Sequence, residues 1–446
     1  MIKKHHILLI VFAGVLLSSC GMYREYKRAD MNFVDSLYRR VPVYEDSTSS
    51  AGVRWSEFFT DKYLHDWIRL GLEYNTDLQI ARLKVKEAEA ALMASTWALL
   101  PGADLSAKGT YPKQVSVNLE ASWQVDIFSS LQNARRSKQA AVEQSKAYRQ
   151  AVQTQLVATI ATSYYTLLML DEQLAISNNT LKAWEESVRT LEALKHAGKT
   201  TEAAILQARA NMLNVQANVL TLEKEILAIE NSFCALLSIV PMSIERGKLS
   251  DQVLPRKLYT GVPIELLEHR PDVKQAEMAL VQAYYAVNSA KANFYPSLTL
   301  SGAVGWTSGD ITVDPGSIIT NLIAGLVQPV FGRGVNKARL ETAMAQYNQA
   351  GCAFRQSLLD AGVEVNNALT LWQTAKKRVE LDQKQIQHLQ AAIWNTQLLM
   401  KHGNADYLEV LTAQKSLLQA ELTEAADKYD EIISTINLYL ALGGGY

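Results

Sequence analysis

The sequence predicts a mainly α fold, internally duplicated, in which long α-hairpins of coiled-coil type are joined to a β-barrel portion. Three observations carry this. Residues 75–235 and 270–441 read as two copies of one unit. Asp77 and Asp272 open Ala-rich helical stretches 195 positions apart, and Pro101 and Pro296 close them at the same offset. Phe128 and Phe331 precede two proline-free runs, 203 apart, and Lys195-His196 and Lys401-His402 end those runs, 206 apart. The runs themselves far exceed the ~11 residues of an ordinary helix. Between the short and the long helix of each copy, apolar and polar residues alternate with the period of a strand. Repetition on this scale points to a built object rather than a reaction site.

Residues 1–19 read as a cleaved leader. Lys3 and Lys4 precede the apolar run Ile7–Leu17, eleven residues long, too short for the ~20 residues of a membrane-spanning helix. The run ends Leu17-Ser18-Ser19-Cys20-Gly21. Small residues before a single Cys resemble a bacterial lipobox, in which Cys20 is lipidated and becomes the first residue. An ordinary leader that happens to contain a Cys is the competing reading.

The helices follow in order. An Ala-rich helix spans Asp77–Leu99. No proline lies between Pro112 and Pro241, and the one glycine from Ser129 to Val240 is Gly198. One helix can therefore run from about Gln132 to His196, ~97 Å at 1.5 Å per residue. Leu167, Leu170, Leu174, Ser177, Leu181, Trp184, Val188 and Leu191 give it the three-and-four spacing of a coiled-coil seam. After Gly198 a further helix runs to about Leu237. The second copy repeats the pattern as Pro271–Asn293, about Val335–His402 and Asp406–Leu442. Pro271 suits a first helical turn, and Asp272 beside it favours the positive end of the helix dipole.

The strands come between. Val115, Val117, Leu119, Ala121, Trp123 and Val125 share one face, and Gln114, Ser116, Asn118, Glu120, Ser122 and Gln124 the other. Ala103, Leu105, Ala107 and Gly109 alternate with Asp104, Ser106, Lys108 and Thr110 before the break at Tyr111-Pro112-Lys113. In the second copy Leu298, Leu300, Gly302, Val304 and Trp306 alternate with Thr299, Ser301 and Thr307, and a fourth strand covers about Ile318–Val327. Such alternation fits a sheet with one face on a helical core. It also fits barrel strands, apolar toward lipid and polar toward water, and lengths near ten residues suit the ~9–11 of a tilted membrane strand. On the barrel reading Asp104, Lys108, Asn118 and Glu120 face the lumen. Four strands cannot close a transmembrane barrel, and an open edge in lipid leaves backbone groups unpaired. The barrel reading thus requires an oligomer, and a water-filled bore favours three or more copies over two, since an eight-stranded barrel is filled by side chains.

Composition excludes other classes. The 446 residues carry 44 Lys and Arg against 45 Asp and Glu, a net charge of −1, with no basic excess for nucleic acid. Beyond the leader there is no apolar run of transmembrane length. Cys234 and Cys352 are expected as small buried residues rather than a disulfide. His269-Arg270-Pro271-Asp272 has the look of a kinase catalytic loop, but without a glycine-rich loop or a Lys-bearing strand it reads as a helix start. The methionines do not cluster, and the one close His pair, His5-His6, lies in the leader. We therefore expect no catalytic residue, no metal site, no cofactor and no enzyme.

The stretch LLEHRPDVKQAEMALVQAYYAVNSAKANFYPSLTLSGAVGW (266–306), with QPVFGRG (328–334) and KHGNADYLEVLTAQKSLLQAEL (401–422), resembles the outer-membrane efflux lipoproteins of the TolC and OprM type, the outer-membrane factors of tripartite efflux systems. The resemblance covers nearly all of the chain after the leader. It implies a homotrimer with one twelve-stranded barrel in the outer membrane, continued by a helical tunnel across the periplasm. It also implies partners, a periplasmic adaptor and an inner-membrane transporter, and a passive exit duct as the function. The lipid on Cys20 is then an accessory outer-membrane anchor, which Gly21 after it suits. The alternative is a lipid-anchored coiled-coil structural protein of the envelope without a pore.

On this resemblance the parts are a leader (1–19), a lipidated N-terminal segment and equatorial region (20–74), a first repeat (75–240, hairpin about 103–126), a connector (241–269), a second repeat (270–442, hairpin about 297–328) and a tail (443–446). The helix-to-helix turns become the gate and the adaptor contact. His196, Gly198 and Lys199 in one turn and His402, Gly403 and Asn404 in the other are the contact candidates. The family's acidic gate stretch matches Glu409-Val410-Leu411-Thr412-Ala413, with Asp406 one turn earlier. The first copy has Ala204-Ile205-Leu206-Gln207-Ala208 there, with no acid, so Glu202 is its substitute.

Overall fold

The computed structural model describes residues 25–28, 37, 53–110, 114–253, 269–308, 317–328, 333–401 and 407–445. Along the first copy run α1 (Trp55–Phe58), α2 (Lys62–Tyr74), α3 (Thr76–Trp97), β1 (Gly102–Thr110), β2 (Gln114–Val125), α4 (Ser130–His196) and α5 (Glu202–Leu236). The second copy holds α6 (Pro271–Ala292), β3 (Ser297–Ser308), β4 (Ser317–Val327), α7 (Val335–Lys401) and α8 (Tyr407–Ala441). The duplication extends to length: α3 and α6 have 22 residues each, α4 and α7 have 67, and α5 and α8 have 35. At 1.5 Å per residue α4 and α7 are each ~100 Å long.

The chain divides into two compact units, each drawing on both copies. The first takes the described residues 25–28 together with 81–149 and 271–358. Its four strands form one antiparallel sheet in the order β1-β2-β3-β4. The register pairs Leu105 with Leu119, Leu119 with Val304 and Val304 with Thr320, so alternate residues of all four strands share a face. Beside the sheet, Ala140 of α4 packs on Val281 and Tyr285 of α6, and Ala343 of α7 on Val287 and Ala290. Arg28 grips the buried Glu277 of α6 through two hydrogen bonds of 2.6 and 2.7 Å. The carboxylate of Asp126 accepts from the backbone N–H groups of Leu131 and Gln132 at 3.1 and 2.7 Å, satisfying the first turn of α4.

The second unit takes residues 53–80, 150–253 and 269–270 together with 359–445. Its core joins Phe58, Phe59, Leu64, Ile68 and Leu78 to Ile160, Tyr164 and Tyr165 of α4, Phe233 and Leu237 at the end of α5, and Tyr439 of α8. Phe58 stacks on Tyr439 at 4.0 Å. Gly71 of α2 is held against Ile160, where a Cβ would collide. Asp61 caps α2 by accepting from the N–H groups of Tyr63 and Leu64. Its other oxygen takes the Tyr164 hydroxyl at 2.7 Å and the Gln252 amide at 2.8 Å. Asn75 serves two helices: its side-chain oxygen accepts from Leu78 N at 2.9 Å and its amide donates to Leu236 O at 2.8 Å.

Of the sequence-derived seam on α4, Leu167, Leu170, Ser177, Trp184, Val188 and Leu191 are buried, and the Ser177 hydroxyl accepts from Asn218 of α5 at 3.3 Å. The cysteines divide. Cys234 is buried as expected, whereas Cys352 is exposed; it lies between the inward-facing positions of α7, on the face turned to solvent. Both are free thiols.

Candidate functional site

A sheet that meets lipid must present side chains of one polarity to it. One face of the four strands carries Ala103, Leu105 and Ala107 of β1, then Val115, Val117, Leu119, Ala121, Trp123 and Val125 of β2. The same face continues with Leu298, Leu300, Gly302, Val304 and Trp306 of β3, then Leu322, Ala324 and Leu326 of β4. Among the described residues nothing covers this face: Leu105 is 75% exposed, Leu119 51%, Val304 53% and Leu322 90%. A soluble sheet would bury these residues on helices, so the core-facing reading of the alternation fails.

The other face carries Asp104, Ser106 and Lys108, Ser116, Asn118, Glu120, Ser122 and Gln124, Thr299 and Ser301, and Asn321. Asp104 stands opposite Glu120, and Lys108 opposite Ser116, so the four lumen candidates lie on one face. The Asn118 carboxamide lies across Gly305, where any Cβ would strike it. β4 breaks the pattern, since it also sends Ile323 and Val327 to the polar face.

Tryptophans mark both ends of the apolar face. Trp123 donates its indole N–H to Leu99 O at 3.0 Å, at the end where the strands meet the helices. Trp306 stands opposite Val117, six residues along β2 from Trp123, or ~20 Å at strand rise. Phe128 and Tyr295 stack at 4.8 Å beside the lower end. Aromatic residues bracketing an apolar band are the pattern of membrane β-strands at the two interfaces. Among the described residues no helix is long and apolar enough to cross a membrane.

The turn between α4 and α5 is closed by Gly198 at φ 69°, with Gly198 N–H on Lys195 O and Lys199 N–H on Leu194 O, both at 2.9 Å. This is the left-handed helix cap that glycine permits. Thr201 caps α5. Glu202 is engaged by an ion pair with Lys195, and that hydrogen bond lowers its pKa. His196 and Lys199 are exposed on the same turn. At the start of α8, Tyr407 and Leu411 are buried against Trp184, Val188, Leu191 and Ile205, and Tyr407 donates to Ser187 O at 3.4 Å. Glu409 lies exposed in the first turn between them. Cys20, His402, Gly403, Asn404 and Asp406 lie outside the described residues.

Sequence reasoning missed the ionic clamp of the second unit. Arg246 is bound by Asp171 of α4 at 2.5 and 3.0 Å and by Glu230 of α5 at 2.5 Å. Their hydrogen bonds, Asp171 foremost, raise the guanidinium further above its already high pKa. It also missed Arg270, which is buried and donates to Ala441 O at 2.8 Å while pairing with Glu364 at 2.6 Å. The partners lie 75, 16, 171 and 94 residues apart, a separation that no local spacing rule reports.

The comparisons agree with this geometry. Residues 67–238 and 262–444 match the Outer membrane efflux protein family. The cation efflux system protein CusC of Escherichia coli O6:H1 is 29% identical over 458 residues, covering 97% of each chain. The probable outer membrane lipoprotein SilC of Salmonella typhimurium is 29% identical over 425 residues, 92% of this chain and 91% of that one. Among solved structures, one of CusC aligns with a TM-score of 0.81 at 28% identity, over 95% of this chain and 99% of that one. The open state of the Neisseria gonorrhoeae MtrE outer membrane channel aligns with a TM-score of 0.83 at 25% identity, over 95% and 98%. With matches over both repeats, over the sheet and over the long helices between, the chain belongs to the outer membrane efflux protein family.

Proposed function

We propose that three copies of this chain form a passive exit duct of a tripartite efflux pump, with a twelve-stranded barrel through the outer membrane and a helical conduit in the periplasm. The observation that carries this reading is the sheet: an uncovered apolar face, a charged opposite face, and two edges, β1 and β4, each with one neighbour among the described strands. In lipid each unpaired backbone group at such an edge costs several kcal/mol, and lateral pairing with further copies removes that cost. Asp104, Lys108, Asn118 and Glu120 then line a wet bore.

The partners are a periplasmic adaptor, engaging the turns at His196, Gly198 and Lys199 and at His402, Gly403 and Asn404, and an inner-membrane transporter. Glu409, with Asp406, forms the acidic ring of the gate, since symmetry brings three copies of each together and like charges in a narrow ring bind a cation or repel one another. Glu202 contributes less, because Lys195 neutralises it. A lipid on Cys20 adds an anchor, as the name of SilC indicates for that protein. Relatives are named for cations, for pyoverdine and for solvents, which supports reading substrate choice as set elsewhere than in the features this chain shares with them.

Purified protein reconstituted in planar bilayers tests the reading. We expect a detergent-stable, heat-modifiable trimer with discrete conductance, and a Glu409→Gln variant with reduced cation preference. A monomer without conductance would support the pore-free structural alternative and overturn the duct.

A further inference from the structure

The seam between α7 and α8 contains a flaw in its apolar pattern. On α7, Ala361, Val365, Ala368, Ala375, Val379 and Ile386 are buried at coiled-coil spacing, and the step between Val379 and Ile386 is filled by Asp382. On α8 the positions Ala420, Asp427 and Ser434 are buried seven residues apart. An aspartate thus occupies a core position on each helix. Asp427 is one of the most enclosed charged residues of the second unit, its side chain 3% exposed.

One oxygen of Asp427 is satisfied, since Arg378 reaches in from the exposed flank of α7 and donates to Oδ1 at 2.6 Å. The Oδ2 atoms of Asp427 and of Asp382 are both buried without a hydrogen-bond partner. Asp382 lies one helical turn beyond Arg378 on α7, on the stretch of seam from which Arg378 reaches Asp427. Two ionised carboxylates cannot satisfy one another, because both are acceptors only. One proton between them turns repulsion into an O–H···O⁻ bond. It also leaves the pair with a single negative charge, matched by Arg378.

We propose that Asp382 and Asp427 share one proton, and that this proton is a pH-set latch on the α7–α8 helix pair. When it is bound the seam is closed; when it leaves for solvent two anions remain in the core of a coiled coil with one guanidinium between them. The charged and titratable groups facing Asp427 are Asp382 and Arg378 from α7 and Asp430 on its own helix. From α4, Gln173 donates to Leu422 O and Thr166 to the Tyr429 hydroxyl on either side of the pair, while Asp171 of the same stretch is bound by Arg246. Burial first, then Asp382, push the Asp427 carboxyl up to about 6 against the pull of Arg378. Burial, then the Asp427 charge, raise Asp430 as well. The sign follows. The folded state holds a proton that the unfolded chain has released, so the pair favours the closed seam increasingly as pH falls from above 6 toward 4, and opposes it at neutral pH. This latch is independent of the export reading and does not need the duct to be correct.

The test uses the full-length protein in detergent. Infrared spectra with 13C-aspartate labelling should show a protonated aspartate carboxyl band that titrates away with a midpoint near pH 6. Amide exchange in α7 and α8 around the pair, corrected for intrinsic rate, should speed up about tenfold between one pH unit below that midpoint and one above it, a unit of pKa being a tenfold change. Asp382→Asn supplies an amide donor to Asp427 and should abolish the band and the pH dependence of exchange while keeping the seam closed. A spectrum in which the aspartate band rises only with the ordinary carboxylates, at about pH 4, or an Asp382→Asn protein with the wild-type exchange profile, overturns the proposal. If that variant fails to fold, the band in the wild-type protein decides alone.

Discussion

Single side chains join helices that lie far apart in sequence, and their removal should be felt in proportion to what they leave unpaired. Asn75 caps α3 and closes the end of α5 while 5% exposed. Asn75→Ala should cost about 1–3 kcal/mol, since it removes a cap and leaves a part-buried carbonyl without its donor. Thr76→Ala, at the exposed neighbour, should change stability by less than about 0.5 kcal/mol. Denaturant unfolding of the two variants side by side checks this, and equal losses would contradict it. Arg246→Met should do more harm. It leaves the Asp171 and Glu230 carboxylates together without their counter-ion, a loss of about 3–5 kcal/mol in a fully buried setting. The part-exposure of Asp171, at 35%, reduces that to about 2–4 kcal/mol. Restoring charge with Lys should recover part of the loss but not the forked contact to Asp171.

Helices and strands differ in how plainly the sequence announces them. The 67-residue helices were legible because proline is absent from both and glycine from α4, which also sustains a three-and-four apolar spacing; observed and expected ends differ by two residues at Ser130 and by one at Lys401. β1 to β3 were legible from alternation. β4 was legible as a strand, its expected start one residue from Ser317, but not as an alternating one, because Ile323 and Val327 make it apolar on both faces. The clamps of Arg246 and Arg270 and the Asp382–Asp427 pair were not legible at all, since each is assembled from segments that only the fold brings together. The burial of Cys352 was misjudged for a related reason: a helix of this length has several apolar-looking stripes, and spacing alone does not say which one is covered. The two sheet faces make an element-scale prediction. Leu119→Arg puts a cation in the uncovered apolar face, at about 2–4 kcal/mol if that face meets the bilayer midplane. Asn118→Arg, one residue away on the polar face, should be accepted. Heat-modifiability of the assembled protein reports the difference, and equal assembly of both variants would remove the lipid-facing assignment.

At the scale of the molecule, duplication provides two hairpins of strands, and the sheet they form still ends in two open edges. Each copy of the unit is thus incomplete, and so is the chain. On the duct reading, closure through further copies would make insertion a property of the assembled sheet and not of the leader, because a barrel without edges satisfies its backbone internally, whereas lipid chains give reversible attachment unless two signals combine. The two envelope readings therefore separate in one experiment. Replacing residues 1–19 with a non-lipoprotein leader and Cys20 with Ala removes the lipid and leaves the strands. If the four strands close into a barrel with other copies, the altered protein remains in the outer membrane, resists extraction by salt and alkali, and still runs as a heat-modifiable oligomer. If the chain is held by its lipid alone, the same change sends it to the soluble periplasmic fraction with its helices intact, and the exposed apolar face of β1 to β4 would have to be explained by some other partner.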